Sequence, residues 1–243
     1  MQRYFSSKLS NNYLYLNDDD IYHIKTVMRM NDLDKIEIVY NNKLYICIIE
    51  DIKNNIKFKI EKEIDNINSN LPFITLIIPF LKETKMDLIL QKATEMGVSE
   101  MILCPMERCM VKIDDKKLES KIIRWKRICK EASEQSKRLT ISNIKTVKSI
   151  NELKNLEGHN FTCSTQEKVK NIKKVLKTIK SCDRINLVIG PEGGISEKEE
   201  NILNSIGFTS ISLGNLIMRV ETVPLFLMSI IDYEFMEWYL WNL

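Results

Sequence analysis

The chain has 243 residues, of which 44% are hydrophobic and 28% charged, and its formal net charge is +3. This length suits one large domain or a large and a small one, and the hydrophobic content is sufficient for a packed core. No apolar run approaches the roughly 18 residues of a membrane span, and the first residues lack the apolar core of a secretory signal. We therefore expect a cytoplasmic protein without a membrane segment.

The cysteines and histidines argue against a metal site. Six cysteines are scattered without a Cys-x-x-Cys pair, and the only histidines are His23 and His159. Zinc sites need clustered ligands of these types, so we predict that no metal is bound. In a protein without an export signal, the cysteines are expected to be reduced and mostly buried.

Short alternating segments dominate residues 1–68. Three segments alternate between apolar and polar residues, namely 35–40, 44–49 and 56–60. Asn41-Asn42 marks a hairpin turn between the first two, and the aspartates at 18–20 are expected to cap a short helix. Closely spaced short strands favour a small β-barrel. The polar residues 65–70 are interpreted as a linker.

After this linker the pattern changes to alternating strands and helices. Strands are predicted at residues 73–78, 101–104, 160–164, 185–189 and 210–213. Helices are predicted at residues 85–96, 115–137, 169–180, 197–205 and 222–239. Such alternation is typical of an α/β domain with a mostly parallel sheet.

The helix over 115–137 is strongly basic. Residues 121–138 carry seven basic and two acidic side chains, a local charge of +5, although the whole chain carries only +3. Two interpretations stay open: the solvated face of an ordinary amphipathic helix, or a surface that contacts nucleic-acid phosphates.

A glycine cluster is the most informative local feature. Three of the seven glycines lie in the segment Ile189-Gly190-Pro191-Glu192-Gly193-Gly194-Ile195-Ser196. This glycine loop follows a predicted strand and precedes a helix that begins with a Ser196–Glu199 capping box. It therefore lies at the carboxyl end of a parallel strand, where open α/β sheets bind ligands.

The glycine loop matches neither the Walker pattern nor the dinucleotide pattern. Glu192 is unfavourable beside a phosphate, whereas the positive sulfonium and ammonium of S-adenosylmethionine suit it. A tight turn with a helix cap and an anion-binding loop remain the alternatives.

A second segment reads Ser212-Leu213-Gly214-x-x-Ile217-Met218-Arg219-x-Glu221-Thr222. Together with the glycine loop, it resembles the corresponding segments of the RsmE-type 16S ribosomal RNA methyltransferases of the SPOUT superfamily. Other segments resemble the family in the same order: Arg3-Tyr4-Phe5, His23-Ile24-x-x-Val27-Met28-Arg29, residues 91–98, Arg108-Cys109 and residues 125–138. Val220 stands where the family usually has a threonine. The neighbouring Arg219 and Glu221 match the family pattern.

The resemblance implies a mixed α/β fold. Residues 1–68 would form a PUA-like β-barrel RNA-binding domain. Residues 72–243 would form a SPOUT methyltransferase domain with a mostly parallel sheet and a deep C-terminal trefoil knot. The implied reaction is S-adenosylmethionine-dependent methylation of N3 of a specific uridine in 16S ribosomal RNA or the small ribosomal subunit, by a homodimer. A related SPOUT ribose 2′-O-methyltransferase and a non-catalytic RNA-binding protein are the alternatives.

The resemblance also assigns residues to roles. The implied cofactor-binding residues are Thr165, Ile189, Gly190, Glu192, Gly193, Leu213, Gly214, Met218 and Thr222. Arg219 is expected to stabilise negative charge on the uracil oxygens, while Glu192 or Glu221 takes the N3 proton or orients Arg219. The candidates for RNA contact are Arg3, Arg29, Arg108, Gln135 and Arg138, with surface salt bridging as the alternative.

Overall fold

The computed structural model describes residues 1–64, 72–112, 114–180 and 183–235. The predicted linker at 65–70 and the end of the last predicted helix lie outside these residues. The chain divides into two compact units. The first unit comprises residues 1–69 with residues 133–140, and the second comprises residues 70–132 with residues 141–243.

The first unit is a curled six-stranded sheet. Its elements are β1 (Arg3–Phe5), β2 (Lys8–Ser10), β3 (Tyr13–Tyr15), α1 (Asp18–Tyr22), a π-helical turn (His23–Val27), β4 (Lys35–Tyr40), β5 (Lys43–Glu50) and β6 (Lys57–Ile64). The strand order is β1-β4-β5-β6-β3-β2, with only β1 and β4 parallel. Because β1 and β2 lie at opposite edges of the sheet but adjoin in sequence, the sheet must curl until its edges meet. The predicted small barrel is confirmed.

Local chemistry explains two features of the barrel. Asn41 and Asn42 both adopt positive φ, 48° and 61°, as a tight hairpin between β4 and β5 requires. Helix α1 is capped by Asn17, whose side chain accepts a hydrogen bond from the Asp20 N–H at 2.8 Å. The prediction that the aspartates themselves form the cap is wrong, because Asn17 precedes them in the extended conformation that a cap needs.

Residues 133–140 belong to the first unit, although the sequence interpretation placed them in the second domain. The buried Arg3 explains this assignment. Its guanidinium donates hydrogen bonds to the carbonyl oxygens of Lys137 and Arg138, and the Lys137 ammonium lies 3.0 Å from Glu37 Oε2.

The second unit is an α/β layer structure. Its strands are β7 (Phe73–Ile78), β8 (Glu100–Leu103), β9 (Asn143–Thr146), β10 (His159–Cys163), β11 (Arg184–Val188) and β12 (Thr209–Ile211). Its helices are α2 (Glu83–Glu95), α3 (Asp115–Gln135, which ends in the first unit), α4 (Ile172–Leu176), α5 (Glu197–Ser205) and α6 (Thr222–Phe235), with a 3₁₀ turn at Ile150–Leu153. All six strands are parallel, in the order β12-β10-β11-β7-β8-β9. The central strands are buried on both faces, as parallel sheets require.

The predicted helix over 169–180 is much shorter in the structure. The side chain of Asn171 caps α4 by accepting from the Lys174 N–H at 3.0 Å. Before it, the Glu167 carboxylate accepts from the N–H groups of Val169 and Lys170. The first residues of the predicted helix are therefore held in a loop.

The topology brings three loops to one edge of the sheet. Residues 164–171 follow β10, the glycine loop follows β11, and residues 212–221 follow β12. These strands are adjacent in the sheet, so their carboxyl ends place the three loops side by side.

Candidate functional site

A cavity of about 430 Å³ lies where the three loops meet. Its walls are formed mainly by residues 163–166, 189–195 and 213–220. This volume is in the range of sites for small organic ligands, which combine apolar walls with a few polar groups.

Most of the predicted cofactor residues line this cavity. They are Thr165, Ile189, Gly190, Glu192, Gly193, Leu213, Gly214 and Met218, and Arg219 lines the same cavity. Thr222 is not part of the lining. It begins α6, and its N–H donates to the carbonyl oxygen of Arg219 at 2.9 Å. Its observed role is to close the turn before α6.

The glycine loop is tightly folded on itself. A Cβ atom at Gly190 would lie 2.8 Å from Ile195 Cγ1, a distance that real Cβ atoms essentially never show, and 3.0 Å from the Ile195 nitrogen. Gly214, in the facing loop, has φ +125°, which side chains rarely adopt. Position 190 therefore requires glycine because a side chain there would collide with Ile195 of the same loop.

Arg108 braces the glycine loop from outside. Its Nη1 donates to the carbonyl oxygen of Gly193 at 3.0 Å. The same side chain lines a larger open groove of about 850 Å³, which shares Gln166, Ile195 and Glu200 with the cavity. Arg108 is thus exposed, but at least one of its donors already stabilises the loop.

Lys85 was not singled out by the sequence, and it joins both loops of the site. Its Nζ lies 2.9 Å from Glu192 Oε1 and 3.3 Å from Glu221 Oε2. The hydrogen bond from Lys85 lowers the pKa of Glu192, and the same bond raises the pKa of Lys85. The Glu221 Oε2 atom is buried, and no described residue donates a well-aligned hydrogen bond to it. A single lysine in the first turn of α2 carries no recognisable sequence signal.

The expected pairing of Arg219 with a carboxylate is not what the structure contains. Glu192 and Glu221 contact Lys85 instead. Among the residues that the structure describes, none forms an ion pair or hydrogen bond with the Arg219 guanidinium. Arg219 is exposed and is one of the residues that line the cavity. The lowered pKa also makes Glu192 a weaker base than an ordinary glutamate.

The RNA-contact candidates divide into exposed and buried residues. Arg3 is only 4% exposed and forms an ion pair with Glu37 at 2.9 Å, so its guanidinium is engaged within the first unit. Arg29 and Gln135 are exposed, and Arg138 is half-buried. Burial of Arg3 has a simple cause, because its guanidinium is used to hold residues 137–138.

Several cations of α3 are paired within the protein. Arg124 contacts Glu83 Oε1 at 2.6 Å and donates to Asp87 Oδ1 at 3.0 Å. Arg127 contacts Glu131 at 2.9 Å. These pairs favour the solvated-face interpretation for the middle of the basic helix.

Within the described ranges, no group of three or more His, Cys, Asp or Glu side chains is arranged to hold a metal ion. None of the described helices combines the length and apolar character needed to cross a membrane. Burial raises the pKa of Cys47 and Cys104 to about 12, so these thiols are unreactive near neutral pH.

Two family models cover most of the chain. The model described as an RNA methyltransferase domain matches residues 68–232, and the model described as an RNA methyltransferase PUA domain matches residues 16–61.

Individual relatives agree with these matches. A ribosomal RNA small subunit methyltransferase E from Bacillus subtilis is 31% identical, covering 89% of this chain and 88% of its own. A relative from Borreliella burgdorferi, named ribosomal RNA small subunit methyltransferase E 2, is 32% identical, covering 90% of each. The crystal structure of a Neisseria gonorrhoeae ribosomal RNA small subunit methyltransferase E bound to S-adenosyl methionine superposes with a TM-score of 0.83 at 26% identity, covering 96% and 97% of the two chains.

Proposed function

The chain belongs to the RNA methyltransferase family, and on that premise we propose that it transfers a methyl group from S-adenosylmethionine to small-subunit ribosomal RNA. One observation carries the proposal. The loops that follow β10, β11 and β12 enclose a cavity of about 430 Å³ in a fold shared with a relative that binds this cofactor. A mixed α/β fold with a parallel sheet and an N-terminal PUA-like domain agrees with the proposal.

The residues of the cavity fit the cofactor. Ile189, Leu213 and Met218 offer apolar surface and backbone groups for an adenosine. Glu192 offers a carboxylate to the cationic end, and its lowered pKa keeps that carboxylate ionised at neutral pH. When bound, S-adenosylmethionine supplies an electrophilic methyl group on its sulfonium.

Arg219 suits the stabilisation of the accepting base. We propose uridine N3 as the acceptor. When the N3 proton passes to a neighbouring carboxylate, Glu192 or Glu221, negative charge spreads onto the two carbonyl oxygens that flank N3, and a fixed guanidinium can donate two hydrogen bonds to such charge. Arg219 is permanently charged and, among the described residues, has no competing side-chain partner. Holding the nucleophile in line with the methyl group would supply much of the remaining rate.

The proposal also includes the RNA-contact residues, the chain topology and the oligomeric state. Arg29, Gln135 and Arg138 in the first unit and Arg108 in the second remain our candidates for RNA contact. A trefoil knot through the two cavity loops, a homodimer and a cytoplasmic location are also part of the proposal. The dimer is checked by sedimentation equilibrium, which should give twice the mass of one chain.

Cofactor binding and transfer can be tested separately. Calorimetry should detect S-adenosylmethionine binding to the purified protein, and a nucleotide such as ATP should not bind at the same site. Tritium from the labelled methyl group should then enter small-subunit RNA and not large-subunit RNA. Absence of S-adenosylmethionine binding would favour a non-catalytic RNA-binding protein, and nucleotide binding alone would favour the anion-binding loop.

A further inference from the structure

Lys85 forms ion pairs with two carboxylates that belong to different loops of the site. It lies in the first turn of α2, and its side chain is 29% exposed. Glu192 belongs to the glycine loop, and Glu221 immediately precedes α6. Both carboxylates reach the same ammonium nitrogen.

The two carboxylates need this cation. Because each has an oxygen within 3.3 Å of Lys85 Nζ, these oxygens lie within about 6 Å of each other, where like charges repel. The Glu221 Oε2 atom is also buried, which makes its charge costly without a nearby cation. Without Lys85, repulsion would push the glycine loop and the segment before α6 apart.

The geometry links this ion-pair cluster to the cavity wall. The carbonyl oxygen of Arg219 accepts hydrogen bonds from the N–H groups of Thr222 and Val223. Glu221 lies inside that turn, so anchoring its carboxylate fixes the turn that carries Arg219. Glu192 is itself part of the cavity lining.

We infer that Lys85 is a positioning residue for the methyl-transfer site, holding the glycine loop and the Arg219 turn at the spacing that S-adenosylmethionine and the target base require. This inference rests on the proposed function. Lys85 does not line the cavity, so it acts through Glu192 and Glu221 and not by contact with a ligand.

The same helix provides a matched control. Lys92 also lies on α2 and forms an ion pair, with Glu95 at 2.8 Å, but neither residue lines the cavity. Solvent-accessible ion pairs between neighbouring turns of one helix contribute little to stability. Loss of Lys92 therefore reports the effect of removing a lysine from α2 without disturbing the cavity.

The test compares Lys85→Met, Lys85→Arg and Lys92→Met by calorimetry with S-adenosylmethionine and by single-turnover methyl transfer. Lys85→Met should raise the cofactor Kd by about tenfold and slow transfer at saturating cofactor, as expected for coupled neighbouring groups. Lys85→Arg should bring both quantities back to within about threefold. Lys92→Met should match the wild type. Unchanged binding and transfer in Lys85→Met would overturn the inference.

A double-variant cycle separates positioning from general destabilisation. If Lys85 acts through Glu192, Lys85→Met combined with Glu192→Gln should lose no more cofactor affinity than the weaker-binding single variant. Independent, multiplying losses would overturn the inference. If Lys85→Met does not fold, as judged by its unfolding temperature, Lys85→Gln takes its place in both experiments. Failure of the wild type to bind S-adenosylmethionine would refute the proposed function instead, so the two outcomes are distinguishable.

Discussion

At the scale of single residues, Arg219 carries the chemical proposal. Its backbone is held in the turn before α6, while its guanidinium stands at the cavity wall without a partner among the described side chains. An arginine whose backbone is fixed and whose charge is unpaired is suited to a reaction in which negative charge develops on the ligand.

Arg219→Ala should reduce the methyl-transfer rate at least 100-fold, the usual order of effect when such a donor is lost. The cofactor Kd should change by less than about threefold, because the group acts on the accepting base. Both are measured with labelled S-adenosylmethionine. Arg184→Ala is the control, since Arg184 lies at the amino end of β11, the opposite edge of the sheet. Full transfer by Arg219→Ala would contradict the assigned role.

Arg3 and Arg29 form an informative pair in the first unit. Arg3→Met removes a buried cation from Glu37 and should lower the free energy of unfolding by about 3 kcal/mol. Arg29→Ala, at an exposed position, should change it by less than about 0.5 kcal/mol. Urea unfolding measures both. Equal effects on stability would show that burial does not distinguish these two arginines.

Glu37 should make the first unit sensitive to acid. Desolvation raises its pKa, but the hydrogen bond from Lys137 and the charge of Arg3 outweigh this effect, so the pKa lies below the ordinary 4.5. The folded state thus favours the carboxylate. Its stabilisation is present above pH 4.5 and is lost as the pH falls through the lower folded-state pKa.

Glu37→Gln should flatten the acid limb of the stability profile. Thermal unfolding followed between pH 3 and pH 6 measures it, with Glu61→Gln at an exposed ion pair as the control. A profile for Glu37→Gln that still falls as steeply as the wild type would contradict this assignment.

At the scale of elements, β11, the glycine loop and α5 form the unit on which the site depends. The Ser196 side chain accepts from the Glu199 N–H at 3.3 Å, and Glu199 Oε2 accepts from the Ser196 N–H at 3.0 Å. Glu199 Oε1 also accepts from the Glu107 N–H at 2.6 Å, beside Arg108. The capping box therefore fastens the end of the glycine loop to the loop after β8.

Ser196→Ala should lower the free energy of unfolding by about 1 kcal/mol, the usual effect of losing a helix cap. Thermal or urea unfolding measures the loss. Ser205→Ala, at the exposed end of the same helix, is the matched control and should have a smaller effect. Equal losses would show that the box does not stabilise α5.

The elements predicted correctly are those whose signals are local. The capping box, the Asn41-Asn42 turn and the apolar run of β7 all depend on neighbouring residues, so the sequence revealed them. The short α4 and the strands β1, β3 and β9, which the sequence did not predict individually, depend on contacts with distant segments. Ser212, for example, donates to the carbonyl oxygen of Lys170 at 2.7 Å and so holds the loop before α4. Such contacts leave no periodic pattern.

The candidate site shows the same division. The glycine loop and the segment around Arg219 were recognisable as motifs, and the fold places both on one cavity. Lys85 and the burial of Arg3 were not foreseeable, because each depends on residues far apart in sequence, with Lys85 and Glu192 separated by 107 positions. Charge alone could not distinguish a buried arginine from an exposed one.

At the scale of the whole molecule, the two units divide the proposed work. The first unit, of which a PUA-domain model matches residues 16–61, carries Arg29, Gln135 and Arg138 as candidate RNA contacts. The second unit holds the cavity, Arg219 and the Lys85 ion pairs. Anchoring RNA on one unit and reacting a single base on the other fits the need to present an unstacked base to the cofactor.

The most direct test of this function is to locate the transferred methyl group. The protein is incubated with methyl-labelled S-adenosylmethionine and unmethylated small-subunit RNA or subunits, and the RNA is digested to nucleosides for chromatography. We predict that the label elutes as 3-methyluridine. Label on a ribose 2′-oxygen, or RNA that stays unlabelled with folded, cofactor-binding protein, would contradict the proposal.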